Sequence, residues 1–281
     1  MDIVAKLTKD AHDRRRDIID MIFRAGSGHS GGSLSSAEIL TCLYGAVMKH
    51  NPKKPFDDDR DRFILSKGHA APLLYSILAY HEYFPKEELS TLRQMGSALQ
   101  GHPCRNRIPG IELSTGSLGL GISAGLGMAL TGKLQNKAYR VYVLCGDGEM
   151  NEGQNWEAFM SIRKWNPPNL TVIIDYNQVQ LDGNTRDIMP TGDLKAKIQS
   201  FGIRVISCDG HDINQLLKAF HDAKSAGETV VILAKTTKGK GISFMEDNHT
   251  WHGKKIEEAE YHLAIAELER KGMMLAWNEN Q

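Results

Sequence analysis

Two short apolar runs constrain this chain more than any other feature: residues 140–145 (RVYVLC) and residues 170–176 (LTVIIDY), with a helix-like stretch at 150–165 between them. Both are rich in β-branched residues and bounded by turn formers, the pattern of strands buried on both faces of a parallel sheet. A strand-helix-strand unit brings the carboxyl ends of its strands to one edge of the sheet, where ligands of open α/β sheets bind. Gly146-Asp147-Gly148 follows the first run and Asn177 the second, so the pattern predicts that Asp147 and Asn177 are neighbours in space. One carboxylate and one amide oxygen are hard ligands suited to Mg2+, which usually completes its shell with phosphate and water oxygens. Gly146 and Gly148 leave room for the backbone to approach a phosphate, and a helix beginning near Met150 would direct its N-terminus at the negative charge. Taken alone, Gly-Asp-Gly is equally a plain turn.

The same reading continues along the chain. Helices are expected over 4–25, 36–48, 70–80, 122–131, 193–201, 214–225 and 257–270, with a further helix start at Pro85. Short strands are expected at 63–66, 204–207 and 229–234. Strands alternating with helices argue for an α/β fold, a parallel sheet with helices on both faces. No internal repeat, low-complexity tract or linker appears, so residues 1–281 read as a single domain. With 41% hydrophobic and 24% charged residues, the chain can bury a large core and reads as soluble and globular. Lys+Arg 34 balance Asp+Glu 34, which disfavours nucleic acid and anionic membrane as partners. Arg14-Arg15-Arg16 is the densest basic cluster and is expected on a solvated face or a subunit contact. The four cysteines, Cys42, Cys104, Cys145 and Cys208, are scattered without a close pair, so neither a zinc site nor a disulfide framework is indicated. No secretory signal core or run long enough to span a membrane is present, and cytoplasmic localisation is expected.

Histidine placement adds a second signal. Of 11 histidines, His29, His69, His102 and His211 each follow a glycine and His252 precedes one. An imidazole beside an unhindered backbone can approach a ligand closely, donate to phosphate oxygens or move protons near neutral pH. His211 stands apart, because Asp209-Gly210-His211-Asp212 also serves as a turn and cap before the helix near Asn214.

Several segments together resemble the N-terminal, diphosphate-binding region of transketolase. They are Gly28-His29, residues 59–69 ending Ser66-Lys67-Gly68-His69, Gly101-His102-Pro103, residues 115–121, 146–153, 177–183, 235–241 and 249–253, all in the family's order. The resemblance implies a thiamine diphosphate-binding fold and thiamine diphosphate with Mg2+, Ca2+ or Mn2+ being possible substitutes. It places Asp147, Asn177 and the carbonyl of Val179 on the metal. It places His69, Gly116, Ser117, Leu118, Gly148, Glu149, Glu152, Asn177 and His252 around the cofactor. His29, His102 and His252 take catalytic roles toward the sugar. Glu152 matches a residue that joins two cofactor sites across a dimer, although on its own it is an ordinary first-turn helix acid.

Two departures qualify the match. The family's Gly-Pro-Leu-Gly-Gln-Gly turn reads Gly116-Ser117-Leu118-Gly119-Leu120-Gly121 here, and serine can occupy such a turn. The chain ends at Gln281, whereas a full transketolase continues into a pyrimidine-binding domain, which activates the aminopyrimidine, and a C-terminal domain. The resemblance therefore implies one half of a split transketolase. It would transfer a two-carbon ketol unit from a ketose (phosphate) to an aldose (phosphate) only with a C-terminal subunit, in an α2β2 assembly. Two other readings stay open. The α subunit of a 2-oxo acid dehydrogenase carries a related Gly-Asp-Gly…Asn motif, and a non-catalytic thiamine diphosphate-binding module would keep the cofactor site alone.

Overall fold

The computed structural model describes residues 2–279. Five strands, β1 (Arg62–Leu65), β2 (Val141–Gly146), β3 (Leu170–Tyr176), β4 (Arg204–Asp209) and β5 (Val230–Lys235), form a sheet in the order β1-β2-β3-β5-β4. Every neighbouring pair is parallel, so all five carboxyl ends share one edge. Among the described residues ten helices surround it: α1 (Ile3–Ala25), α2 (Ser30–Leu34), α3 (Ala37–Cys42), α4 (Ala71–Tyr80), α5 (Gly121–Leu134), α6 (Gly153–Trp165), α7 (Thr185–Ile188), α8 (Leu194–Ser200), α9 (Ile213–Ser225) and α10 (Glu258–Glu279).

Alternation along the strands builds two cores. Tyr142 and Leu144 of β2, Ile173 of β3 and Ile232 of β5 face one side with Ile18, Ile22, Leu74 and Phe220 from α1, α4 and α9. Val141, Val143 and Cys145 of β2, Val172 and Ile174 of β3 and Val231 of β5 face the other, with Leu126, Phe159, Ile162 and Ile198 from α5, α6 and α8. Strands covered on both faces need apolar residues at consecutive positions, which explains the unbroken runs in the sequence. Capping sets several ends: Asp193 accepts from Ala196 N–H at 2.9 Å to start α8, and Asp212 accepts from Gln215 N–H at 3.1 Å to start α9. Asn166, in a left-handed conformation at φ 34, ends α6.

The α/β reading holds, with local differences. The helix expected from 150 starts at Gly153, after a 3-10 turn over Gly148–Asn151. The stretch expected as one helix over 36–48 is α3 followed by a π-helical turn, Leu43–Val47. The Gly/Ser segment after residue 26, which carries no helical periodicity, contains α2, while the start at Pro85 makes only a 3-10 turn, Lys86–Thr91. The basic cluster differs most. Arg14 and Arg15 are buried: Arg15 forks onto both oxygens of Glu38 at 2.7 and 2.8 Å, and the Arg14 guanidinium lies 4.4 Å from the Tyr80 ring centroid. Long amphipathic side chains can cover apolar surface when their heads find partners. Among the described residues no helix is long and apolar enough to cross a membrane.

Candidate functional site

At the carboxyl edge, register fixes the geometry that the two apolar runs predict. Gly146 pairs with Asp175, and Asp175 with Ala234, so the turn after β2 lies against the residues after β3. Asp147 N–H donates to Asp175 O at 3.2 Å, and Asp147 Oδ2 accepts from Gln178 N–H at 2.6 Å. Asn177 Oδ1 accepts from Val179 N–H at 3.1 Å. Asp147, Asn177 and Val179 thus line one cavity of about 250 Å3, together with Gly148, Glu149, Leu118, His69 and His252.

The donors there fit a cation. Asp147, Asn177 and Val179 offer one carboxylate, one amide oxygen and one carbonyl at this cavity, the mixed oxygen donors that Mg2+ accepts. Burial, reinforced by the neighbouring Asp175 carboxylate, pushes the Asp147 carboxyl up to about 7, as expected of a carboxylate short of positive charge. Lys238 Nζ lies beside these donors: it donates to the carbonyls of Val179 at 2.9 Å and Gln180 at 3.0 Å and lies 3.0 Å from His252 Nδ1. Gln180 Nε2 is buried and has no hydrogen-bond acceptor among the described residues, a free donor at the wall where a diphosphate would lie.

Four imidazoles cluster beside it, of which His69 and His252 line the cavity while His29 and His102 stand behind them. The His29 ring centroid is 5.5 Å from that of His69, 5.9 Å from His102 and 5.3 Å from His252, and His69 and His252 are 5.0 Å apart. Burial holds His29 down to about 4, helped by Arg93, His102 and Lys238; it holds His252 down to about 3, helped by Lys238. His69 and His102 are lowered by burial too, with Lys67 and Arg93 the next contributors respectively. All four rings are therefore neutral at pH 7, each with one N–H to donate and one lone pair to accept with. Unfolded histidines protonate near 6.5 while these stay neutral, so the folded state loses stability as pH falls from about 6.5 toward about 4. Thermal melts across that range should show the midpoint dropping. The drop should shrink in His29→Phe, and an equal drop would contradict the buried neutral ring.

The remaining expected residues separate by role. Gly116 sits at φ 149, and a Cβ there would lie 3.3 Å from the His102 ring, so this turn needs glycine. Leu118 lines the cavity, whereas the Ser117 side chain is exposed at the loop. Glu149 is buried with both oxygens engaged, accepting from Gly119 N–H at 2.9 Å, Gly146 N–H at 3.0 Å and Ser66 Oγ–H. Its carboxylate ties the 115–121 loop to the end of β2. Glu152 is exposed just before α6. His211 lies outside the cavity, accepting from Thr237 N–H at 2.8 Å and facing Glu38 Oε2 at 3.0 Å, a structural role in keeping with its turn sequence.

Sequence reasoning missed the support beneath the site. Lys67 and Asp175 form an ion pair with side chains 1% and 0% exposed. Asp175 also accepts from Ser35 Oγ at 2.6 Å, Ser36 Oγ at 3.1 Å, Asn177 Nδ2 at 3.1 Å and Thr236 Oγ1. Against the burial that would raise it, Lys67, Ser35 and Thr236 hold the Asp175 carboxyl below its ordinary value. The one available signal was a charged residue inside an otherwise apolar strand.

Comparison with known proteins agrees with this geometry. Residues 8–273 match the family described as transketolase, thiamine diphosphate binding domain. The 6-deoxy-6-sulfo-D-fructose transketolase subunit of Clostridium sp. (strain MSTE9) is 42% identical over 267 residues, covering 95% of this chain and 97% of that one. An apulose-4-phosphate transketolase subunit of Actinobacillus succinogenes is 41% identical over 266 residues, covering 94% and 96%. The solved transketolase of Campylobacter jejuni superposes with a TM-score of 0.88 at 32% identity, over 97% of this chain but 43% of that one. The chain belongs to the transketolase family and carries its thiamine diphosphate-binding domain.

Proposed function

We propose that residues 1–281 act as a single domain, the N-terminal subunit of a two-chain, thiamine diphosphate- and Mg2+-dependent transketolase. Two-carbon ketol transfer from a ketose phosphate to an aldose phosphate would require a C-terminal subunit carrying the pyrimidine-binding domain. An α2β2 assembly and cytoplasmic localisation complete the reading. The observation that carries it is the convergence, in one cavity, of the oxygen donors Asp147, Asn177 and Val179 and the imidazoles His69 and His252. The two relatives of similar length bear subunit names, which supports a partner chain.

The chemistry supplied by bound thiamine diphosphate is an electron sink for breaking the carbon–carbon bond beside a ketose carbonyl. The chain's own residues would bind and orient. Asp147, the Asn177 amide oxygen and the Val179 carbonyl would hold the Mg2+, with the buried, unpartnered Gln180 Nε2–H available to phosphate oxygens. His29, His102 and His252, neutral and beside one another, would donate hydrogen bonds to sugar oxygens as charge develops on them. Leu118 adds apolar surface to the cavity, displacing water and strengthening those polar contacts.

The test is metal removal. When this chain is complexed with its C-terminal partner, chelation should abolish thiamine diphosphate binding measured by calorimetry, and added Mg2+ should restore it. Equal binding in both conditions would reject the metal assignment.

A further inference from the structure

An arginine stands beside the imidazole cluster. Arg93 Nη1 donates to Ser27 Oγ at 3.0 Å, and Nη2 faces Nδ1 of His29 at 3.4 Å. A guanidinium carries five N–H donors and no acceptor, so the nitrogen it faces must present a lone pair. The backbone places it there at some cost. Arg93 adopts φ 60, the left-handed region uncommon for a residue with a side chain. Its N–H is tied to Leu99 O at 2.8 Å, and Leu92 beside it is buried. Gly101 lies directly against it: a Cβ there would come 2.8 Å from the guanidinium carbon and push the guanidinium aside. The left-handed backbone at Arg93 and the bare Gly101 beside it leave this guanidinium seated against Ser27 and His29.

We propose that Arg93 is a positioning residue that holds His29 in the tautomer with its proton on Nε2, so that the ring donates rather than accepts on its other edge. That edge faces the Gly253 side, where a Cβ would lie 3.8 Å from Nε2, next to the His252 ring. The groups facing His29 are the cations Arg93 and Lys238 and the rings of His69, His102 and His252. Among the described residues no carboxylate stands with them to hold a second proton on the ring, so one directed N–H results. For the reaction this matters because an oxygen gaining negative charge needs a donor already aimed at it. The inference rests on the proposed role of His29 toward the sugar.

Two measurements on wild type, Arg93→Met and Arg93→Lys separate the possibilities. Ring 15N shifts of His29 in the labelled full chain should report the Nε2–H tautomer in wild type, a mixture in Arg93→Met, and recovery in Arg93→Lys, which keeps a donor. In the reconstituted complex, Arg93→Met should lower kcat for ketol transfer by about tenfold, with KM for the donor sugar changed less than about twofold. The acid limb of its pH profile should move upward, since a repelling cation is gone, and lysine should restore most of both effects. A His29 proton on Nδ1 in wild type, or a tautomer unmoved in Arg93→Met, would overturn the proposal whether or not the complex turns over. A tautomer that shifts while ketol transfer is unaffected would leave Arg93 as the holder of the ring and reject the role of His29 toward the sugar. If Arg93→Met does not fold, Ser27→Ala frees the other end of the guanidinium and should loosen the preference; a preference left unchanged there would count equally against the proposal.

Discussion

Replacing Lys67 with methionine is expected to cost about 3–5 kcal/mol of folding free energy, the range for breaking a buried ion pair by removing one partner. Asp175 would be left charged and 0% exposed beneath the site, and the hydroxyls of Ser35, Ser36 and Thr236 cannot neutralise it. These partners come from the two residues between α2 and α3 and from the segment after β5, so the loss should loosen every segment that meets at the carboxyl edge. Denaturant titration would read the change. The double variant Lys67→Met/Asp175→Asn should be less destabilised than Lys67→Met alone, because no orphaned charge remains. A single-variant cost under about 1 kcal/mol would show that Asp175 is solvated or protonated rather than paired.

The second large effect belongs to Asp147. In the complex with the C-terminal partner, Asp147→Ala is expected to lower ketol transfer at least about 100-fold, since a metal supplies several kcal/mol of charge stabilisation. Folding should suffer little or improve. The Asp147 carboxyl is raised to about 7, so the folded chain binds its proton more tightly than the unfolded chain. Stability from this group is full below about 3.8 and is lost as pH rises toward about 7. Alanine removes that penalty. Loss of thiamine diphosphate binding with an unchanged or raised melting point at pH 8 would support a ligand role. Loss of both binding and fold would assign Asp147 to structure, through its bonds to Gln178 and Gly148.

The fold was legible because two faces of one sheet demand apolar residues at successive positions. The runs 140–145 and 170–176 therefore became β2 and β3 within a residue or so. Asp147 and Asn177 were legible for the same reason, since parallel pairing fixes which ends meet. The histidines could be nominated by their glycines, but their convergence could not. His29 and His252 lie at opposite ends of the chain, and the packing of α2 against the 3-10 turn His249–His252 accompanies their approach. Arg14 and Arg15 misled because charge suggests solvent, while their partners Tyr80 and Glu38 are remote in sequence. Lys67, Asp175 and Lys238 went unassigned for a related reason. A buried cation has meaning only once its acceptors are known, and those of Lys238 lie in the loop after β3.

If this chain holds the diphosphate and metal while a second chain completes the reaction, neither chain turns over substrate alone. Ketol transfer from a ketose phosphate to an aldose phosphate should be measured with saturating thiamine diphosphate and Mg2+ for this chain, for its C-terminal partner and for the two mixed. Transfer only in the mixture is the predicted result; turnover by this chain alone at the rate of the mixture would contradict it.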